Sequence, residues 1–197
     1  MSQDIAEIPD WDLVERAKNG EMRAFEELLR RYQTPVVHFC QRMIGSLQDA
    51  EDVAQECFVR LYRVLPQLKP KAKFTTVLFG IARNLTLNAI RDAERRGRSK
   101  TFSLAGDLEK GEWYLPDERQ DPRRTAEMGE LDEKIQRSLL ALAPEHREVI
   151  LLREVEQMDY EEIARVTGTL VGTVKSRLSR AREQLRLRLM ELGGNEP

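Results

Sequence analysis

Residues 159–189 are the stretch that most constrains the fold, because the hydrophobic period, the turn chemistry and the charge pattern all change within it. Its first part predicts a short helix that begins at an Asp159 N-cap and has acidic residues in its first turn, where the helix dipole favours negative charge. Gly168 predicts the end of this helix, since glycine adopts a positive φ at little cost. A second periodic segment follows, so the stretch is predicted to be a helix, a turn and a helix.

The second helix of this stretch combines one apolar stripe with a basic surface. Its apolar residues recur every three or four positions: Val174, Leu178, Ala181, Leu185 and Leu189. Between Gly172 and Met190 six basic residues accompany one acidic residue, Glu183. The small residues Ala164 and Gly168 allow two helices to cross closely, as they do where a recognition helix enters a major groove. An amphipathic helix pair with a solvated basic face is the alternative, but the turn, the small residues and the one-sided charge together favour DNA binding.

The composition of the whole chain sets wider bounds. Its 197 residues allow one or two small domains, and 34% charged with 6% aromatic residues is typical of long amphipathic helices. A net charge of −2 does not by itself indicate a nucleic-acid partner. It does not exclude one either, because a polyanion responds to the electric field of the local surface patch that it contacts. Cys40 and Cys57 lie in apolar patterns without a histidine at ligand spacing, so we expect buried thiols and no metal or cofactor. The sequence has neither a signal peptide nor an apolar run of membrane length, so we expect a soluble, cytoplasmic protein without membrane insertion.

The first half of the chain predicts a series of helices. Asp10 is expected to cap the first, which stops at Asn19-Gly20. The second ends at Gly45, and its pattern is interrupted at Thr34-Pro35 because proline lacks the N–H that a helix interior needs. The third begins at Ser46 and turns an apolar face inward. Its charged face is either solvated or a docking site for a partner helix, and spacing alone does not decide between these.

A basic, proline-containing loop precedes the fourth helix, which starts at Phe74. On one face of this helix Asn84, Asn88, Arg91 and Arg95 fall four, three and four residues apart, so they form a row. Amides and guanidiniums in a row can hydrogen-bond bases and phosphates together. A solvated helix tail is the equally simple alternative.

From Thr101 to about Arg124 the apolar period is lost, and glycine, proline and acidic residues predominate around an apolar island, Trp113-Tyr114-Leu115. Residues 99–133 hold five basic and ten acidic residues, a net charge of −5. Such an acidic segment could imitate nucleic acid, but the simpler interpretation is that repulsion between its charges keeps the linker extended. We therefore predict an all-α fold with two helical domains, 11–98 and 129–192, joined by an acidic flexible linker, 99–128. Short tails, 1–10 and 193–197, flank them.

Three stretches of this chain resemble one family. They are DAEDVAQECFVRLYR at 49–63, FTTVLFGIARNLTLNAIRDAERR at 74–96 and LAPEHREVILLREVEQMDYEEIARVTGTLVGTVKSRLSRAREQLR at 142–186. Together they are similar to the extracytoplasmic-function group of bacterial RNA polymerase sigma factors, in order and separation as well as in sequence. The resemblance implies a two-domain initiation factor that binds core RNA polymerase and promoter DNA. It also implies an anti-sigma protein as a further partner, as is usual for the group.

The same resemblance implies three sets of site residues. The core polymerase-binding set on the third helix is Asp49, Asp52, Gln55, Glu56, Phe58 and Arg60. The minus-ten set, with a base captured near the 68–74 loop, is Lys73, Phe74, Asn84, Asn88, Arg91 and Arg95. The minus-thirty-five set on the last helix is Thr173, Lys175, Ser176, Arg177 and Arg180. Val77 and Leu170 stand where the family often has tryptophan and proline, so aromatic support for a melted strand is expected from Phe74 or Phe79.

Two other classes of function fit the sequence less well. A stand-alone helix-turn-helix regulator would bind duplex DNA by itself, commonly as a dimer on a palindrome, but no dimerisation heptad or ligand domain supports it. An enzyme is less expected, because the many carboxylates lie on solvated helix faces without a nucleophile, a phosphate-binding glycine loop or a metal cluster. We accordingly expect no small-molecule substrate and no catalytic residues.

Overall fold

The computed structural model describes residues 5–97 and 122–193, and all regular structure within these ranges is helical. The helices, in chain order, are α1 (Asp10–Lys18), α2 (Met22–Ile44), α3 (Leu47–Val64), α4 (Phe74–Arg95), α5 (Pro122–Leu140), α6 (Pro144–Ile150), α7 (Tyr160–Thr167) and α8 (Val171–Gly193). Short 3₁₀ helices span Ile5–Glu7 and Leu65–Gln67, and a π-helical segment, Leu151–Val155, continues α6. The all-α prediction is therefore confirmed for the part of the chain that the structure describes.

Helix α2 passes through Pro35, so the predicted interruption there was wrong. A proline inside a helix costs about 3 kcal/mol, because it removes one hydrogen bond and crowds the preceding turn. The residues that follow offset this cost by burial: Val36, Val37 and Phe39 each have 3% or less of their surface exposed. The helix ends as predicted at Gly45, whose φ of 92° is left-handed and whose N–H donates to the Gln41 carbonyl at 2.7 Å.

Helices α1 to α4 form the first domain around a core of large apolar side chains. Phe39 on α2 meets Phe79 on α4 edge to face, with 5.5 Å between the ring centroids. The predicted Asp10 cap was wrong, because the Asp10 carboxylate accepts hydrogen bonds from Arg31 at 2.8 Å and from the Tyr32 hydroxyl at 2.5 Å. Asp10 thereby ties α1 to the middle of α2.

Helices α5 to α8 form the second domain. The predicted stripe of α8 is confirmed at its first three positions, since Val174, Leu178 and Ala181 are buried against α6 and α7. Arg147, also buried, donates to the Leu139, Leu140 and Leu142 carbonyls at 2.8–2.9 Å, which gives the carbonyls at the end of α5 a partner. Burial lowers the pKa of Arg147 to about 10, so it stays protonated at neutral pH.

The two domains lie in contact in this structure. Helix α4 packs on α7, and α2 packs on α5 and α6. Most of the predicted linker, including the Trp113-Tyr114-Leu115 island, lies outside the described residues. Helix α5 begins at Pro122, which is within the range 99–128 that was predicted to be linker. In the described ranges no helix has the length and hydrophobicity needed to cross a membrane.

Candidate nucleic-acid interface

Helix α7 and the turn after it are built by local hydrogen bonds. The Asp159 carboxylate accepts from the Glu162 N–H at 2.8 Å, and the Glu162 carboxylate accepts from the Asp159 N–H at 2.9 Å. This capping box confirms the predicted N-cap. The hydrogen bond from the Glu162 N–H stabilises the ionised carboxylate of Asp159 and is the main reason why its pKa lies below the ordinary value. Gly168 ends α7 with a φ of 67°, also as predicted. The turn therefore fixes where α8 starts.

The first three turns of α8 present the predicted minus-thirty-five residues with different accessibility. Lys175, Ser176 and Arg180 are exposed, whereas Thr173 and Arg177 are half-buried. The Lys175 ammonium lies 5.7 Å from the centre of the Tyr160 ring on α7, which steadies it at the surface. These exposed donors form a surface of the kind that contacts base edges and phosphates.

Further along α8 the basic residues are already paired. Arg182 contacts Glu154 at 2.6 Å, and Arg186 contacts Glu183 at 2.8 Å. The second half of this helix therefore has less unpaired positive charge than the six-to-one excess of basic residues indicates. The accessible cationic surface is concentrated near the N-terminal end of α8, where a recognition helix reads bases.

The predicted row on α4 is exposed over its whole length. Asn84, Asn88, Arg91 and Arg95 all lie on the surface, as the spacing predicts. Arg91 donates to the Asn88 side-chain oxygen at 3.3 Å, and Arg95 pairs with Asp92 at 3.3 Å. Both contacts are local and exposed, so DNA can replace them at little cost.

Phe74 and Phe79 do not lie on this surface, so the expectation that they support a melted strand was wrong. They are 2% and 1% exposed. Phe74 packs edge to face against Trp11, with 6.2 Å between centroids, and lies 5.3 Å from the Tyr32 ring. The apolar period of α4 begins at Phe74 itself, and that period was the available sign that its ring faces the core.

Two side chains of α1 donate hydrogen bonds to the loop that precedes α4. The Trp11 indole N–H donates to the Ala72 carbonyl at 2.9 Å, and the Lys18 ammonium donates to the Leu68 carbonyl at 2.6 Å. Lys73 at the end of the loop is exposed and contacts Glu162 on α7 at 2.9 Å, which raises the pKa of Lys73. A residue predicted to contact DNA thus contacts the second domain here.

The predicted polymerase-binding face on α3 is largely exposed. Asp49, Asp52, Gln55, Glu56 and Arg60 lie on the surface. Phe58 is only 7% exposed, so its placement on that face was wrong, and it lines a groove between α2 and α3 instead.

Two large side chains of α3, Val59 and Tyr62, are each about half exposed. Helical spacing already places Val59 away from the apolar face of α3, whereas sequence reasoning missed Tyr62.

Sequence reasoning also missed Glu148 on α6. Its carboxylate has no exposed surface and accepts two hydrogen bonds from Arg83 on α4, Nε at 2.7 Å and Nη2 at 3.1 Å. Arg177 on α8 approaches the same carboxylate to 3.7 Å. The available sign was a charge directly before the apolar run Val149-Ile150, where a solvated carboxylate is not expected.

Comparison with known families gives two matches in this chain. Residues 28–96 match sigma-70 region 2, and residues 132–185 match sigma-70 region 4. The chain is 33% identical to the ECF RNA polymerase sigma factor SigW of Bacillus subtilis (strain 168) over 187 residues, which cover 91% of this chain and 96% of that protein.

Two solved structures have a similar overall arrangement. The structure of CnrH in complex with the cytosolic domain of CnrY has a TM-score of 0.66 at 25% identity, and covers 95% of this chain and 99% of that one. The sigma factor RpoE from Bartonella quintana, in complex with the anti-sigma factor NepR, has a TM-score of 0.65 at 22% identity and supports the fold alone. That match covers 88% of this chain and 98% of the other.

Proposed function

Because the chain belongs to the extracytoplasmic-function group of the sigma-70 family of bacterial RNA polymerase sigma factors, we propose that its two domains divide the promoter between α4 and α8. As a member of this family it is an alternative sigma factor, which binds core RNA polymerase and directs promoter-specific initiation of transcription. The observation that carries the division of labour is the pair of exposed polar surfaces, one on α4 and one at the start of α8.

The minus-thirty-five element is assigned to the first turns of α8. Lys175 and Arg180 are exposed donors, and the exposed Ser176 hydroxyl, which donates to the Thr173 carbonyl at 2.9 Å, can accept from a base. Each well-placed pair of hydrogen bonds to a base contributes about 1–3 kcal/mol of discrimination. Thr173 and Arg177 are assigned to the backbone phosphates beside them, because their partial burial limits their reach. Phosphate contacts hold the helix in register, while base contacts select the sequence.

The minus-ten element is assigned to the exposed row Asn84, Asn88, Arg91 and Arg95, together with Lys73. With Phe74 and Phe79 in the core, amides and guanidiniums take the place of aromatic stacking on the unpaired strand. Arginine planes stack on bases and amides bond their edges, so this surface can hold single-stranded DNA without an exposed aromatic ring. Strand opening is then a binding event in which unstacked bases are trapped.

Core polymerase is assigned to the charged face of α3. Asp49, Asp52, Gln55, Glu56 and Arg60 supply charge complementarity, and the neighbouring Val59 and Tyr62 supply apolar contact. A charged rim beside a half-exposed apolar patch is the usual composition of a protein interface. Two modest DNA-binding modules then gain affinity from being held on one rigid enzyme.

The remaining parts of the proposal concern regulation and setting. An anti-sigma protein is proposed as a partner, as the family resemblance implies, and the similar chain CnrH was solved in complex with the cytosolic domain of a second protein, CnrY. The chain is proposed to act in the cytoplasm, where core polymerase and promoters are, and to catalyse no reaction of its own.

Transcription from a defined template tests the proposal. The full chain with core polymerase should yield run-off transcripts from its own promoter, while the chain without core should shift the same duplex only weakly. Tight binding to a palindrome without polymerase, together with the absence of specific transcripts, would instead identify a stand-alone regulator.

A further inference from the structure

The loop at 68–73 leads from the 3₁₀ helix Leu65–Gln67 into α4, whose exposed row is assigned to the minus-ten element. Three of its six residues are exposed lysines: Lys69, Lys71 and Lys73. This side of the loop therefore has a positive surface, which suits the backbone of a single strand. Because like charges so close together repel one another, the loop needs contacts on its inner side to keep one conformation.

Two side chains of α1 supply such contacts. The Lys18 ammonium donates to the carbonyl of Leu68 at 2.6 Å, and the Trp11 indole N–H donates to the carbonyl of Ala72 at 2.9 Å. Leu68 is the first residue of the loop and Ala72 is the fifth. The loop is thus held near both of its ends by one helix.

Both donors are themselves fixed by their surroundings. The Trp11 ring packs edge to face on Phe74, the first residue of α4, with 6.2 Å between the ring centroids. The Lys18 side chain is only 16% exposed, and its ammonium also contacts the Glu15 carboxylate at 2.7 Å. Side chains that are already ordered lose little further conformational entropy when they hold a loop. Helix α1 is therefore a rigid support for the loop.

The anchored carbonyls lie directly beside the exposed lysines. Lys69 follows Leu68, while Lys71 and Lys73 stand on either side of Ala72. A displacement of either carbonyl would therefore move the charged side chains next to it. This adjacency connects the two hydrogen bonds to the DNA-facing side of the loop, in addition to whatever they contribute to stability.

We propose that Trp11 and Lys18 are positioning residues, which hold the loop in the conformation that discriminates between bases of the unpaired minus-ten strand. This inference deepens the proposed function and rests on it for the role of the loop at the minus-ten element. Helix α1 precedes residues 28–96, which match region 2, so the support comes from outside that match. A loop held in one conformation cannot adapt to a wrong base, whereas a loosened loop can.

The test measures the affinity of the holoenzyme for labelled single strands. Wild-type holoenzyme first selects its minus-ten sequence from a library. Fluorescence anisotropy then gives Kd for the selected strand and for strands in which one base is replaced at each position in turn. Trp11→Phe keeps a ring against Phe74 and removes the N–H donor, whereas Lys18→Met keeps most of the side-chain length and removes the ammonium.

Each variant should lower the ratio of the affinities for the selected and the replaced strand at the one or two positions that the loop contacts. The expected decrease is about fivefold, which is the factor that one hydrogen bond typically contributes. At the other positions the ratios should stay within about twofold of wild type, because those bases meet residues that are not coupled to the loop.

Two variants on the same helix are the controls. Val14→Ala removes buried methyl groups from α1 and leaves both donors in place, so it should lower the urea midpoint without changing any affinity ratio. Asp12→Asn changes an exposed side chain and should behave as wild type in both measurements. A purely structural role of Trp11 and Lys18 would make their variants resemble Val14→Ala.

The proposal is overturned if both variants leave every affinity ratio within about twofold of wild type, or if they lower the ratios at all positions alike. In either case, weaker binding of the selected strand by Arg91→Ala holoenzyme would still support the proposed function. Equal binding of selected and replaced strands by wild-type holoenzyme would reject the assignment of the minus-ten element, and the inference with it.

Discussion

Asp159 and Glu162 each accept a hydrogen bond from the other's backbone N–H, at 2.8 and 2.9 Å. This reciprocal pair sets the first turn of α7 and leaves the second Glu162 oxygen to pair with Lys73 of the first domain. One short motif therefore both starts the helix-turn-helix and contributes to the contact between the domains.

We expect Asp159→Ala to lower the free energy of unfolding by about 1 kcal/mol, since alanine cannot cap the helix. Asp159→Asn keeps an oxygen acceptor and should cost less. Urea unfolding of the three proteins, followed by circular dichroism, measures the difference. Equal midpoints for the alanine variant and wild type would show that the capping box does not stabilise α7.

We expect the double variant Asp52→Lys with Glu56→Lys to bind core polymerase at least about tenfold more weakly, because it reverses the charge of the α3 face. Glu21→Lys with Glu26→Lys makes the same charge change at the exposed start of α2 and is the control. Titration of labelled chain with core enzyme gives the affinities. If the two double variants bind equally, the polymerase-binding surface lies elsewhere.

We expect Arg91→Ala to slow opening of the minus-ten element, because the α4 row then has one fewer group to hold unstacked bases. Fluorescence of 2-aminopurine placed in the element measures opening by the holoenzyme. A template with this element already unpaired should restore most of the lost transcription. Glu94→Ala, exposed on the same helix, is the control. A defect that persists on the unpaired template would contradict a role in opening.

We expect the free energy of unfolding to fall between about pH 5 and pH 7 because of Glu156. Burial raises the pKa of this carboxyl from 4.5 to about 7 in the folded chain. In that window the unfolded chain releases the proton while the folded chain retains it, so the folded state loses stability as pH rises. Glu27, whose pKa falls to about 2 through its hydrogen bonds from Arg30 and Arg31, is ionised in both states there.

Glu156→Gln should flatten this part of the pH profile, as measured by urea unfolding at several pH values. Glu161→Gln removes the same charge from an exposed position and should leave the slope in place. If the slope survives in Glu156→Gln, another group is responsible for it.

The parts of the molecule that were predictable from sequence are those set by local chemistry. The Asp159 cap, the glycine stops at Gly45 and Gly168, and the α8 stripe depend on residues within a turn or two of one another. The exposed row on α4 follows in the same way from helical spacing.

The parts that sequence did not reveal depend on packing between distant segments. Pro35 is tolerated inside α2 because the residues after it are buried. Asp10 does not cap α1, because its carboxylate bonds partners that are 21 and 22 residues away. Phe58 and Phe74 were assigned to surfaces by resemblance, whereas their neighbours place both in the core. Glu148 pairs with Arg83, which is 65 residues away in the sequence, and helical periodicity does not predict such a contact.

The most direct test of the account is the selection of promoters from a library randomised at both elements, using holoenzyme made with wild type or with Lys175→Ala and Arg180→Ala. We expect the variant to lose about tenfold or more of its preference at minus-thirty-five, because base contacts are lost, and to keep its minus-ten preference. Arg188→Ala, far along α8, should select as wild type does. An unchanged minus-thirty-five preference in the double variant would contradict the assignment of α8 to that element.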